Sequence, residues 1–121
     1  PEDIVRAVKM GWDMFDCVIP TREGRHGRLY QIRNSKFEIR NPKNNNFYNI
    51  ININNSAFAK KMVSINKISK LPILCQTTFA YLHHLFKIND SLGARLATLN
   101  NLEFYLDLMN KIRLTINNNQ F

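Results

Sequence analysis

Apolar residues recur at helical spacing near both ends of the chain and lose any regular period in the middle. Ile4, Val5 and Val8 form a stripe, Pro1 suits a first helical turn, and Glu2 and Asp3 favour a helix N-terminus, so a helix is predicted over Pro1–Met10 with Gly11 as its stop. Trp12 to Ile19 is short, apolar and bounded by Gly11 and Pro20, the pattern of a buried strand. In that alternation Asp16 falls on one face with Trp12, Met14 and Val18. The run TREGRHGR, Thr21 to Arg28, carries two glycines and reads as a loop, and one or two strands are expected within Leu29–Ile39. No element is assigned between Asn41 and Leu74. Three helices follow: Thr78–Lys87 with Phe79, Leu82 and Phe86 on one face, Ser91–Leu99 capped by Asp90, and Asn101–Ile116. Asn100 and Glu103 resemble a capping box ahead of the last stripe, Leu102, Tyr105, Leu106, Met109, Ile112 and Ile116. The tail from Asn117 to Phe121 is expected to fray. A helix running directly into a buried strand makes the fold class α/β.

A length of 121 residues fits one domain, and 45% apolar content with eight Phe, four Tyr and one Trp argues against wholesale disorder. No run approaches the ~20 consecutive apolar residues that a membrane span needs, and the acidic start Pro1-Glu2-Asp3 is unlike a signal peptide. Two cysteines suit a reducing compartment, so a cytoplasmic location with no membrane is expected. The formal charge of +8 first suggests a polyanionic partner such as RNA or DNA. The excess is uneven, because residues 41–75 carry five lysines and no acidic residue. That third also holds NPKNNNFYNIININN, Asn41 to Asn55, a low-complexity tract with no signal of a packed element. It reads as a solvated insertion or a basic RNA-binding arm. The expected organisation is therefore 1–40, 41–75 as the Asn-rich insertion, and 76–121 as a helical region.

Asp16 is the sharpest chemical feature, since a carboxylate near the C-terminal end of an apolar strand lies where α/β folds place catalytic groups. The alternative is a structural Asp that caps a loop or pairs with an arginine. Arg22, Arg25 and Arg28, with His26 among them, suit phosphate or base recognition, or form an ordinary solvated loop. His83 and His84 point about 100° apart on a helix, so one packs inward while the other faces solvent. Cys17 is expected to be a packed thiol, and no CxxC, HExxH, P-loop or GxGxxG pattern occurs.

The stretch PEDIVRAVKMGWDMFDCVIPTREGRHG, Pro1 to Gly27, resembles the bacterial tRNA-guanine transglycosylase (queuine tRNA-ribosyltransferase) family through its MFDCV-PTR core. AYLHHLFKINDSLGARLATLNNLEFYLDLMNKIR, Ala80 to Arg113, is similar to the same family's C-terminal helices, and IRNSK, Ile32 to Lys36, to the segment leading to its zinc subdomain. The resemblance implies the C-terminal part of a (β/α)₈ TIM barrel, its last helix and strand, followed by a zinc-type subdomain and C-terminal helices. It implies exchange of guanine at the tRNA wobble position for a 7-deazaguanine, in queuosine biosynthesis, with Asp16 as the nucleophile that forms a covalent Asp-ribose intermediate. Thr21, Arg22, Glu23, Gly24 and Arg25 match the motif that recognises the wobble nucleotide, and Pro1, Glu2 and Asp3 match the end of a glycine-rich RNA-binding segment. The implied partner is the tRNA anticodon loop, whose target base must leave its stack to react, and relatives form homodimers. Family members run to several hundred residues, so the base pocket and the general acid/base are expected to lie outside this chain, which alone is expected to be inactive. The alternative is a non-catalytic tRNA-binding or partner-docking remnant. The family's zinc ligands, a CxCxxC cluster and a later His, fall near Ser69, Leu71, Leu74 and Asn100. Only Cys75 lies close, one residue out of register, so the zinc ligand set reads as lost and no cofactor is expected.

Overall fold

The computed structural model describes residues 1–33 and 47–119. Helix α1 (Glu2–Lys9) is followed by α2 (Ile19–Arg25), β1 (Arg28–Ile32), β2 (Tyr48–Asn52), a short 3₁₀ turn (Ser56–Phe58), α3 (Pro72–Gln76), α4 (Phe79–Lys87) and α5 (Ser91–Asn117). The α/β class holds, as one antiparallel pair of strands laid against helices, with Leu29 opposite Ile51 and Gln31 opposite Asn49.

α1 ends as expected at Gly11, which takes φ +94, a value that glycine adopts at little cost. The predicted strand over Trp12–Ile19 is not formed: residues 12–18 have no regular structure and α2 begins at Ile19. A strand exists only by pairing, and among the described residues no segment is paired with this one. The predicted loop over Thr21–Arg28 is instead mostly helix. Pro20 occupies its first turn, where a missing N–H costs nothing, and the turn after His26 is made by Gly27 at φ +77. One expected strand is present as β1; the rest of the span to Ile39, with most of IRNSK, lies outside the described residues. The Asn-rich tract supplies β2, whose Tyr48, Ile50 and Ile51 outweigh its flanking asparagines.

The expected break between two C-terminal helices is absent. α5 is continuous for 27 residues, about 40 Å at 1.5 Å per residue. Asp90 does cap it, accepting a hydrogen bond from Leu92 N–H, but Asn100 and Glu103 form no capping box. Asn100 and Asn101 are instead buried inside the helix, at 1% and 0% exposure. Their targets explain why no break is needed. Gly27 C=O accepts from Ile53 N–H and Arg33 N–H donates to Phe47 C=O, so the odd-numbered residues of β1 face β2. Arg28 and Tyr30 therefore direct their backbone groups toward the free edge. There Asn101 Oδ1 accepts from Tyr30 N–H at 2.9 Å, and Asn101 Nδ2 donates to Arg28 C=O at 2.8 Å and to Pro20 C=O at 3.1 Å. Asn100 Nδ2 donates to Tyr30 C=O at 3.0 Å. α5 thus closes the strand edge with side-chain amides where a further strand would otherwise pair.

The main apolar core joins Leu29, Ile53, Ile65, Leu74, Phe79, Leu82, Leu85, Leu96 and Ala97. A second cluster packs Val5 of α1 on Leu108 and Ile112 of α5, and a third is aromatic, built on Tyr30, Phe104 and Tyr105. α2 approaches α5 so closely that a Cβ at Gly24 would meet the Thr98 backbone at 2.8 Å. Among the described residues no helix is long and apolar enough to cross a membrane.

Replacing Asn101 by Ala leaves the buried Tyr30 N–H and the part-buried Arg28 C=O without this partner and removes the tie to Pro20 C=O. We expect a loss of about 3 kcal/mol in unfolding free energy, measured by urea denaturation, whereas a loss below about 1 kcal/mol would contradict this role.

Candidate functional site

The helical turn of α2 sorts the residues of the TREGR motif. Gly24 faces α5 and is buried, whereas Arg22 and Arg25, three residues apart, are exposed. Thr21 Oγ1 donates to Val18 C=O at 3.1 Å and ties the first turn of α2 to the segment before it. Glu23 is largely buried and lies between two cations, with Arg28 Nη1 at 2.9 Å and Arg22 Nε at 3.7 Å. It holds Arg28 back along the α2–β1 corner. Arg25 has no hydrogen-bond or ion-pair partner among the described residues. The product is a short helix whose inner face is fixed to α5 and whose outer face presents guanidinium groups to solvent.

Asp16 lies in the irregular segment three residues before α2. It is exposed, and among the described residues no side chain or backbone group bonds to it. Around it Trp12, Met14 and Val18 are 62%, 86% and 61% exposed, an apolar row without a covering surface. Cys17, expected to be packed, is exposed as well, because the strand that would have buried it is not formed.

The N-terminal triplet is held differently. Glu2 Oε2 accepts a hydrogen bond from the Tyr48 hydroxyl at 2.7 Å, which carries β2 to the start of α1. Asp3 is exposed and lies 3.5 Å from Arg6, while Pro1 is half-buried. Burial alone would raise the Glu2 carboxyl, but hydrogen bonds from the Tyr48 hydroxyl and a backbone N–H act against it, and the carboxyl lies below its ordinary value. Tyr48 in turn is pushed well above the usual phenol range, by burial first, then by its hydrogen bond to Glu2 and the charge there. Tyr48 stacks on Tyr30 at 5.8 Å, and the aromatic cluster beneath them also receives Ile4 of α1 and Ile19 of α2. One cluster thus anchors Ile4, which follows Pro1–Asp3, and Ile19, which precedes Thr21–Arg25. It does not reach Asp16.

Sequence patterning did not single out Tyr48, Asn100 or Asn101 as determinants of this arrangement. Tyr48 was legible only as an aromatic in a polar tract, and adjacent asparagines in an amphipathic helix carry the signal of a cap. Of the two histidines, His83 is the inward one. Its Nδ1 lies 2.7 Å from Ile53 C=O, which can only accept, so Nδ1 carries a proton; His84 faces solvent. Among the described residues no three His, Cys, Asp or Glu side chains converge to hold a metal.

These features define an α/β unit that displays a basic helical face beside an unpaired carboxylate. A family model described as queuine tRNA-ribosyltransferase matches residues 1–121, and the chain belongs to that family. A queuine tRNA-ribosyltransferase of Buchnera aphidicola subsp. Acyrthosiphon pisum is 40% identical over 121 residues, all of this chain and 29% of the relative. That of Rickettsia typhi is 40% identical over 113 residues, 93% of this chain and 27% of the relative, and that of Agrobacterium fabrum is 37% identical over 121 residues, 28% of its length. The chain thus spans under a third of the length of these relatives, whose name makes them transferases acting on tRNA.

The lowered Glu2 carboxyl has a defined consequence for pH. Stability from the Tyr48 hydrogen bond is present above the unfolded-state value near 4.5 and is lost as pH falls through the lower folded-state value. Tyr48→Phe should return the Glu2 carboxyl toward its ordinary value in an NMR titration, and an unchanged titration would count against the bond.

Proposed function

We propose that this chain is the C-terminal part of a tRNA-guanine transglycosylase, a member of the glycosyltransferases that serve queuosine biosynthesis. The observation that carries this reading is the family match over all 121 residues together with an exposed, unpaired Asp16 in the FDCV motif. In the proposed reaction an Asp16 carboxylate oxygen attacks C1′ of the wobble ribose. The bond from C1′ to the base nitrogen breaks, and guanine leaves with that electron pair and takes up a proton. The incoming 7-deazaguanine, having lost a proton from its attacking nitrogen, displaces the carboxylate from C1′ and restores Asp16. The acceptor is the tRNA anticodon loop, and Arg22 and Arg25 contact phosphate or stack on the extruded nucleotide and its neighbours. Pro1, Glu2, Asp3 and Thr21 belong to the same RNA-binding surface, with Glu23 and Gly24 acting through the placement of α2.

The 121 residues alone do not turn over in this reading, because the pocket for the base and the proton-transferring acid reside in the remaining length of the family. The uncovered row of Trp12, Met14 and Val18 favours a second role for the same segment, docking onto that remaining length. Docking supplies the strand partners that residues 12–18 lack and fixes Asp16 toward the ribose. Homodimer formation and a cytoplasmic setting follow the family expectation.

Two measurements test the proposal. Affinity of the chain for tRNA should fall about three- to tenfold on Arg22→Ala or Arg25→Ala, and its salt slope should shallow by about one for each phosphate that is no longer neutralised. Binding that ignores both substitutions would oppose the assigned surface. Mixed with the preceding portion of a relative, the chain should restore base exchange that Asp16→Asn abolishes; exchange surviving that substitution would remove Asp16 as nucleophile.

A further inference from the structure

The family resemblance implies zinc, and the residues at the implied ligand positions do not fit it. Ser69 Oγ donates to a carboxylate, Leu74 is fully buried in the apolar core, Leu71 offers no ligating side-chain atom, and Asn100 spends its amide on Tyr30. Cys75 Sγ donates to the carbonyls of Ser69 at 3.4 Å and Lys67 at 3.8 Å, so it is engaged with backbone oxygens. Tetrahedral zinc needs four donors, and this neighbourhood offers no such set.

Another group gathers the same stretch of chain. Glu103, 9% exposed in the middle of α5, accepts from Lys70 N–H at 2.6 Å, from Ser69 Oγ at 2.6 Å and from Asn66 Nδ2 at 3.2 Å. All three donors come from the irregular segment that leads into α3. One turn further along α5, Asp107 receives Lys70 Nζ at 2.8 Å. Ser69 Oγ also accepts from Leu71 N–H at 3.0 Å, so the hydroxyl relays the carboxylate's hold to the next residue. Hydrogen bonds to an ionised carboxylate are shorter and stronger than neutral ones, and burial withdraws water as a competitor.

We propose that Glu103 is a carboxylate clamp that stands in for a metal, fixing Asn66–Leu71 to α5 through three hydrogen bonds with no ion bound. The charge that a metal would bring to several ligands is replaced by one anion shared among several donors. The segment then docks by the same act that folds α5, and its order is independent of metal supply.

Amide hydrogen exchange and metal content of the full chain test this together. The native protein, purified from zinc-supplemented medium, should hold far less than one zinc per chain, and its melting temperature should not move with EDTA or added zinc sulfate. In Glu103→Gln the added NH₂ faces donors, and exchange of the Lys70 amide should rise about tenfold or more while amides within α5 keep their protection. One zinc per chain with a melting temperature lowered by EDTA would overturn the proposal, as would unchanged Lys70 exchange in Glu103→Gln. Should that variant not fold, Ser69→Ala carries the same test: exchange at Lys70 and Leu71 should rise at least about threefold, and unchanged rates there overturn the clamp.

Discussion

The open edge of β1 is the constraint that organises this molecule. A two-stranded ribbon satisfies only one side of each strand, and the other side must find partners or water. Asn101 and Asn100 meet that need from the middle of α5, and Asn101 also reaches the Pro20 carbonyl in the first turn of α2. A single buried amide therefore sets three elements relative to one another. The close approach of Gly24 to Thr98 and the aromatic cluster under Tyr30 depend on that placement.

From this joint the displayed chemistry follows. With its inner face fixed, α2 turns Arg22 and Arg25 outward, and Glu23 restrains Arg28 beside them. The aromatic cluster carries Tyr48, and Tyr48 carries Glu2, so the start of α1 is held by the same body that holds α2. Asp16 stands apart. Among the described residues its segment has no pairing partner, and Trp12, Met14 and Val18 beside it are exposed, which is why the proposed function assigns its final placement to docking.

The periodic parts of the sequence were the legible parts. Ile4, Val5 and Val8 announced α1, Phe79 and Leu82 announced α4, and Gly11 and Asp90 marked boundaries that the structure keeps. Two of the departures come from local signals that distant partners override. Asn100 and Glu103 have the spacing of a cap, yet the backbone of β1 and the Asn66–Lys70 segment claim them over 30 to 70 residues of chain. Trp12 to Ile19 has the pattern of a strand, but among the described residues no strand pairs with it. Conversely, the asparagines around Tyr48 hid β2, whose register comes from pairing with β1 rather than from composition. The family motifs single out Asp16, Arg22 and Arg25 only as candidates, whereas the residues that position the elements bearing them are visible only in three dimensions.

The most direct test of this account is native-state hydrogen exchange at the Tyr30 amide, the donor that Asn101 accepts. If α5 closes the β1 edge as described, that amide exchanges only through global unfolding, with the same free energy as the buried interior of α5. Rapid exchange at Tyr30 while the α5 interior remains protected would show that the edge opens freely, and the account would fail at its base.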